Sequence, residues 1–136
     1  MAFVAGKNTV FKLDNSSGTL TALSAYITDV SVDLSDDNVE TTSFGDSAKE
    51  YSLTLADSSL SVTALFDATL LAHLGAVKGQ AATLTYEWSP NGTSSSEPKV
   101  TGECRLTGMS PTGSVGGMVG LNFTLQGDGA TTISTH

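Results

Sequence analysis

The stretch that decides the fold runs from Tyr26 to Leu34 and reads YITDVSVDL. Its even positions are mostly apolar, whereas its odd positions carry Asp29, Ser31 and Asp33. Alternation with a period of two is typical of a β-strand with one buried and one solvated face. The stretch therefore predicts an antiparallel sheet with a packed side and a wet side.

The same alternation recurs along the chain, in the segments 9–13, 58–67, 82–88, 100–108 and 118–126. Phe66 and Val119 fall at predicted inward positions, and Tyr86 and Trp88 share the inward parity of Leu84. Hydroxyl side chains supply much of the outward polarity, since the 136 residues include 18 Ser and 19 Thr. Such a composition favours strands and turns.

One short helix is predicted between the strands. Asp67 can cap the segment 68–76, in which Leu70, Leu71 and Leu74 fall on one stripe. A helix of this length does not persist alone, so it must pack over a sheet edge or a barrel end. The predicted fold class is all-β with one short helix, an antiparallel β-sandwich or barrel formed by residues 1–136 as a single domain.

Two polar segments and a tail complete the chain. The segment 35–54 (SDDNVETTSFGDSAKEYSLT) predicts a long inter-strand loop, which is uncommon inside a compact domain and usually functional. The segment 89–99 (SPNGTSSSEPK) predicts a turn-rich linker, and the small polar residues 128–136 predict a flexible C-terminal tail.

Charge and cysteine content exclude several classes of protein. Six Lys and Arg against 14 Asp and Glu give a net charge of −8, which disfavours a DNA- or RNA-binding protein. A single cysteine, Cys104, excludes an internal disulfide and a cysteine metal cluster. No signal peptide or membrane-spanning run is recognisable, so we expect a soluble protein made in a cytoplasm.

No pattern of residues predicts an enzyme. The two histidines are His73, inside the predicted helix, and His136, the final residue, and no Gly-x-Ser-x-Gly motif presents a nucleophile. A surface or packing role for His73 is the favoured alternative. The sequence predicts no catalytic residue and no cofactor.

The odd spacing of Asp33, Ser35 and Asp37 is that of a calcium-binding loop. The sixth position of such a loop would be Asn38 instead of Gly, and the twelfth would be Phe44 instead of Glu. A solvated acidic loop is therefore the favoured interpretation, and no metal site is predicted.

Carbohydrate chemistry has two candidate features. Tyr26, Tyr86 and Trp88 are candidates for an aromatic platform, although the parity of Tyr86 and Trp88 favours core packing. Asp29 and Asp33 fail as a glycosidase pair, because residues four apart in a strand lie roughly 13 Å apart.

Three segments carry a family resemblance: 26–33 (YITDVSVD), 40–46 (ETTSFGD, followed by Ala48 and Lys49) and 60–67 (LSVTALFD). Together they resemble the tail tube (major tail) proteins of long-tailed, non-contractile phages. The resemblance extends to the last strand, 119–126, and so covers most of the chain. Phe-Asp leading into a short helix is part of the pattern.

The resemblance implies a structural virion protein of the phage tail, made in the host bacterial cytoplasm. Subunits would join side by side into six-fold rings, and the rings would stack around a tape-measure protein. A tail terminator would be a further partner, and DNA would pass in transit without specific binding. The loop 35–54 would reach the next ring, through Asp36, Asp37, Val39, Glu40, Phe44, Asp46, Lys49 and Tyr51.

The outward positions of four strands are predicted to line the channel: Asp29, Ser31, Asp33, Ser59, Ser61, Thr63, Glu103, Arg105, Asn122, Thr124 and Gln126. A channel for DNA should be wet and anionic, because cations and exposed aromatic rings bind nucleic acid. Arg105 is the exception, and we expect a carboxylate such as Glu103 of a neighbouring subunit to neutralise it. The alternative is that part of this face is the outer surface of the tube.

Two other functions fit the same strands. A carbohydrate- or receptor-binding β-sandwich would expose aromatic side chains and remain monomeric or trimeric. A head–tail connector or capsid cement protein would form rings that do not stack into tubes.

Overall fold

A computed structural model describes residues 3–136 of the chain. In chain order the strands and the helix are β1 (Val10–Asp14), β2 (Leu20–Ala22), β3 (Ile27–Glu40), β4 (Tyr51–Leu65), α1 (Ala68–Val77), β5 (Leu84–Ser89), β6 (Pro98–Thr112) and β7 (Gly120–Thr135). A single 3₁₀ turn, Gly6–Asn8, precedes β1. Each segment that the alternation marked contains a strand, and β2 is a further strand of three residues.

The seven strands form one antiparallel sheet in the order β2-β1-β5-β6-β7-β4-β3. The first half of β6 pairs with β5, as far as the pair Leu84 and Cys104. Its second half pairs with β7 alone, whose first half pairs in turn with β4. The register shifts between Gly102 and Cys104 and between Leu106 and Gly108, and such irregularities bend a sheet.

The bend lets one sheet form two layers around one core. Buried residues of β1 and β4, which are far apart in the strand order, belong to the same core cluster. The cluster comprises Phe11, Leu13, Leu23, Leu60, Val62, Ala64, Leu70, Leu74, Val77, Leu84, Tyr86, Val100, Cys104, Leu121, Phe123 and Leu125. The all-β sandwich prediction is confirmed, with the two layers built from one continuous sheet.

Helix α1 covers the core as predicted. The side chain of Asp67 accepts a hydrogen bond from the Thr69 amide at 2.8 Å, which satisfies one free N–H of the first turn. Leu70, Leu74 and Val77 are buried on one face of the helix, at spacings of four and three residues. His73 also fastens the helix to the sheet, since its Nε2 lies 3.0 Å from the carbonyl oxygen of Asp14.

The prediction of a loop over residues 35–54 was wrong for half of its residues. Strand β3 continues to Glu40 and β4 begins at Tyr51, so only residues 41–50 connect them. The two strands pair up to Glu40 and Tyr51, past a register shift between Asp36 and Asn38. Strand pairing through backbone hydrogen bonds does not require alternating apolar side chains. The polar composition of this segment therefore gave no sign of the long β-hairpin.

The prediction of a flexible tail at 128–136 was also wrong. Strand β7 runs to Thr135, and its last residues pair with β6, Thr135 opposite Pro98. At the end of the chain, His136 Nε2 lies 2.9 Å from Ser89 Oγ, and the His136 amide donates to the carbonyl of Glu97 at 2.8 Å. The segment is rich in Thr, which suits a strand, and β6 supplies its partner.

Candidate functional site

Ten of the eleven predicted channel residues lie on one face of the four-stranded portion formed by β3, β4, β7 and the second half of β6. The strand registers arrange all ten in cross-strand rows, namely Asp29–Thr63–Asn122, Ser31–Ser61–Thr124 and Asp33–Ser59–Gln126–Arg105. All are exposed except Ser59, which is half-buried. We call this surface the polar face. Cross-strand neighbours stand about 5 Å apart, so the face is continuous.

Glu103 lies outside these rows. It lies at the first register shift of β6, between Gly102 and Cys104, where it has no partner on β7. It pairs instead with Thr85 of β5, whose Oγ1 donates a hydrogen bond to Glu103 Oε2 at 2.9 Å. It therefore belongs to the portion of the sheet beyond the bend.

The polar face carries more negative than positive charge. Asp57 extends it by one further row, opposite Ser35, and its Oδ1 accepts a hydrogen bond from Gln126 Nε2 at 2.8 Å. With Asp29 and Asp33 this makes three exposed carboxylates.

Arg105 is neutralised within its own chain. Its Nε lies 3.1 Å from Asp128 Oδ2, and its Nη1 donates to the Ala81 carbonyl at 2.8 Å. The expected partner, Glu103 of a neighbouring subunit, is therefore not required. Asp128 follows Gly127 on β7, where the pairing with β6 is interrupted over residues 128–130, which include Gly129 at φ 107°.

The polar face is open along both sides. Strand β3 is the edge of the sheet and pairs only with β4 among the described residues. On the other side, β5 stops pairing with β6 at Cys104, so residues 105–112 of β6 also present an edge with no partner in the part of the chain that the structure describes. An unpaired strand edge is a template for pairing with another chain.

The hairpin of β3 and β4 extends the polar face at one end, and it carries all the residues predicted to contact a next ring: Asp36, Asp37, Val39, Glu40, Phe44, Asp46, Lys49 and Tyr51. Val39, Phe44 and Tyr51 are exposed, by 53%, 112% and 57%. Asp33, Ser35 and Asp37, the three residues of the rejected calcium loop, lie in strand β3.

A charged cluster that the sequence did not reveal lies on β5. Glu87 is buried although it occupies an outward position, and the nitrogens of three side chains surround it. Lys12 Nζ and Lys99 Nζ lie 3.8 Å from its carboxylate, and His136 Nδ1 lies 3.7 Å away. The register Lys12–Glu87 depends on long-range pairing and could not be read from spacing. This cluster ties β1, β5, β6 and the last residue together.

The aromatic residues that were candidates for a carbohydrate-binding platform lie in or beside the core. Tyr86 is buried in the core, as expected, and Trp88 is partly buried beside a cleft of about 450 Å³ between β1 and β3. Within the described range 3–136, no group of three or more His, Cys, Asp or Glu side chains is placed to hold a metal ion. No helix in the same range has the length and apolar character needed to cross a bilayer.

Comparison with known proteins finds matches among solved structures alone. No protein-family model and no curated protein sequence matches the chain. Among solved structures, a chain from the tail of an empty gene transfer agent particle, refined with C6 symmetry, superposes with a TM-score of 0.75 at 16% identity, covering 96% of this chain and 98% of that one.

Two further structures superpose over nearly the whole chain. The SPP1 tail tube gives a TM-score of 0.78 at 12% identity, covering 98% of this chain and 80% of that one. A chain of the sheath–tube complex of PVC, an extracellular contractile injection system, gives 0.73 at 11% identity, with coverage of 98% and 93%. This protein therefore has the fold of the tail tube proteins.

Proposed function

We propose that this chain is a structural, non-catalytic subunit that builds a tail tube. Copies join edge to edge into closed rings of six, and the rings stack into a hollow tube. The observation that carries this proposal is the polar face, which within the described residues has an unpaired strand edge on each of its two sides. The shared fold with the SPP1 tail tube supports it, and the C6 symmetry of the gene transfer agent tail supports six copies in a ring.

Ring closure follows from the positions of the two edges. The edge strand β3 of one subunit can pair with residues 105–112 of β6 in the next, which uses a different surface on each partner. Contacts of this kind produce a closed ring when the rotation between subunits returns to the start. Closure also removes the exposed edges, which are an aggregation hazard on a single subunit.

In this arrangement the polar face lines the channel. Its side chains are hydroxyls, amides and the carboxylates Asp29, Asp33 and Asp57, and its guanidinium, Arg105, is already paired with Asp128. A wall of this composition offers phosphate no unpaired cation and offers bases no aromatic ring to stack on. DNA would pass through it in transit without specific binding.

The same proposal assigns partners and a location. The chain would reside in the tail of a virion after synthesis in the cytoplasm of a bacterial host. A tape-measure protein would fill the channel during assembly, and a tail terminator would cap the last ring.

Assembly of the purified protein tests the proposal. Light scattering and negative-stain microscopy over a wide range of protein concentration, with and without a tape-measure segment, should show rings or tubes. A protein that stays monomeric or trimeric under every condition would instead fit a carbohydrate- or receptor-binding module, and rings that never stack would fit a connector or cement protein.

A further inference from the structure

The cleft of about 450 Å³ beside Trp88 combines apolar side chains with small polar ones. Phe11, Ile27, Val30 and Trp88 supply its apolar surface. Ile27, Val30 and Trp88 pack against the core cluster but are only partly buried. A single subunit therefore leaves apolar surface in contact with water here, which is unfavourable. We call this opening the Trp88 cleft.

The Trp88 cleft lies next to the strand edge at which the proposed ring closes. Ile27 and Val30 belong to β3, and they pair with the buried residues Ala64 and Val62 of β4. Their side chains are therefore on the core side of the sheet. A strand added to this edge places its own core-side residues beside them, because cross-strand neighbours stand about 5 Å apart.

Ring symmetry determines which end of β6 reaches the cleft. Strands β3, β4, β7 and β6 are successively antiparallel, so β6 runs opposite to β3 within one chain. Rotation about a ring axis keeps this relation between β6 of one copy and β3 of the next. Pro111 of β6 and Ile27 of β3 lie in one cross-strand row, at the same end of the four strands. The end of β6 and the turn after it consequently meet the start of β3, where the cleft lies.

The turn between β6 and β7 carries exposed apolar side chains. Val115 is 110% exposed and Met118 is 79% exposed. Phe66 and Val119, which were expected at inward positions, are also 42% and 47% exposed beside this turn. The segment 106–127 carries no charge, so the turn can leave water without the cost of desolvating an ion. Exposed apolar surface of this kind on a small domain marks an interaction site.

We infer that the Trp88 cleft receives the β6–β7 turn of the next copy in the same ring, with Val115 as the side chain that enters it. This inference rests on the proposed function. When a strand is added to a sheet edge, main-chain hydrogen bonds supply affinity and side-chain pockets supply specificity. The cleft thus gives the two strand edges a means to recognise each other.

Disulfide cross-linking tests the contact. Thr28→Cys/Val115→Cys places one thiol in the cleft and the other on the turn, both at exposed positions, whereas Cys104 is buried. Within one chain β4 and β7 separate β3 from β6 by about 14 Å, which is beyond the reach of a disulfide. Oxidation of assembled protein should therefore join different copies. The covalent multimers should end at six, because each contact lies within one closed ring.

The two single variants are the matched controls. Thr28→Cys and Val115→Cys, each assembled and oxidised alone, should give no covalent dimer. An equal mixture of the two, assembled together, should give dimers and nothing larger, because each copy then carries one introduced thiol. Dimers from either single variant would mean that two clefts or two turns meet.

Trp88 gives a second readout that needs no introduced thiol. It is the only tryptophan in the sequence, and it lines the cleft. On assembly its fluorescence should shift to shorter wavelength, and its quenching by acrylamide should fall. In assembled Val115→Ser protein, quenching should exceed that of the assembled parent, because the smaller polar side chain leaves part of the cleft to water. Ser114→Ala, at the neighbouring exposed position, should match the parent.

The outcomes separate this inference from the proposed function. A second pair, Lys7→Cys/Gly116→Cys, repeats the test with another residue of the cleft and another of the turn, where Gly116 has open space for a side chain. Rings or tubes that yield no multimers with either pair overturn the docking site and leave the ring subunit in place. Multimers longer than six overturn the assignment to one ring. If neither pair assembles, unchanged quenching of Trp88 on assembly of the parent overturns the inference. A chain that never forms rings or tubes overturns both.

Discussion

Arg105 and Asp128 form an ion pair on the polar face, with Arg105 Nε 3.1 Å from Asp128 Oδ2. Asp128 neutralises the guanidinium of Arg105 within the same chain, so no carboxylate from a neighbouring subunit is needed for this in an assembly. Arg105 pairs with Gln126, and Asp128 lies two positions further along β7, so the two side chains are diagonal cross-strand neighbours within reach of each other.

Replacing Asp128 by Ala should expose this cation with little effect on stability. The two side chains are 46% and 49% exposed, and exposed ion pairs contribute only about 0–1 kcal/mol. Assembled Asp128→Ala protein should bind DNA several-fold more tightly than the parent at low salt, with an affinity that falls as salt rises. The double variant Arg105→Gln/Asp128→Ala serves as the control and should behave like the parent. If the single variant retains no more DNA than the parent in co-sedimentation, Asp128 does not mask Arg105.

Reversing the charge of the polar face is a stronger test of the DNA path. Asp29→Lys/Asp33→Lys places two cations per subunit on the face, and assembly should survive because both positions are exposed. DNA passage through the tube should slow and become dependent on salt. Ser16→Lys/Thr19→Lys adds the same number of lysines at exposed positions between β1 and β2 and should leave passage unchanged. If tubes of the two double variants pass DNA equally well at low salt, Asp29 and Asp33 do not line the channel wall.

The reaction of an introduced cysteine with a small and a large reagent should show which face of the sheet lies inside the tube. Ser61 is exposed in the middle row of the polar face. In tubes, Ser61→Cys should react with a small maleimide and resist one attached to a long polyethylene glycol, while the monomer reacts with both. Ala72→Cys on α1 is the control and should react with both reagents in both states. Cys104 does not interfere, because burial raises the pKa of its thiol to about 12 and the reactive thiolate is scarce below that pH. Rapid reaction of Ser61→Cys tubes with the large reagent would mean that the face points outward.

Shortening the hairpin should separate folding from stacking. Glu40 and Tyr51 are the last pair of β3 and β4, so residues 41–50 can be replaced by Asn-Gly, which suits a two-residue turn. The variant should keep the circular dichroism and melting temperature of the parent, because Phe44 and its neighbours bury nothing in the core. Microscopy should show no long tubes. Tubes of parental length would show that the hairpin does not contribute to the stacking contact.

Ser58 offers a test of the fold itself. Its Oγ is buried with no hydrogen-bond partner among residues 3–136, and it is the atom that a side chain at Gly127 would strike. Ser58→Ala removes an unsatisfied polar atom and should stabilise the monomer by about 1 kcal/mol, seen as a higher midpoint in urea. The neighbouring Ser59→Ala change on the polar face should be nearly neutral. A loss of stability in Ser58→Ala would mean that the hydroxyl is hydrogen-bonded in solution.

Alternation located the strands because the core imposes it. Leu60, Val62 and Ala64 must face inward, so the residues between them face out, and the outward residues of the polar face could be read from parity. The helix was equally predictable, since Asp67 caps it and its leucines repeat at helical spacing.

The ends of the strands could not be read in this way. Asp36 pairs with Ala56, and Thr131 pairs with Gly102, through backbone groups whose partners lie far away in sequence. Composition therefore suggested a loop and a tail where the structure has paired strands. The pairing of Arg105 with Asp128 was hidden for the same reason, because it depends on the register of β6 against β7.

Cryo-electron microscopy of assembled protein tests the central claim most directly. The account predicts a hollow tube of stacked six-fold rings in which β3 of each subunit pairs with residues 105–112 of the next, and Ser31, Ser61 and Thr124 face the channel. A tube with this face on its outer surface, or a protein that remains monomeric in every condition and with a tape-measure segment present, would contradict it.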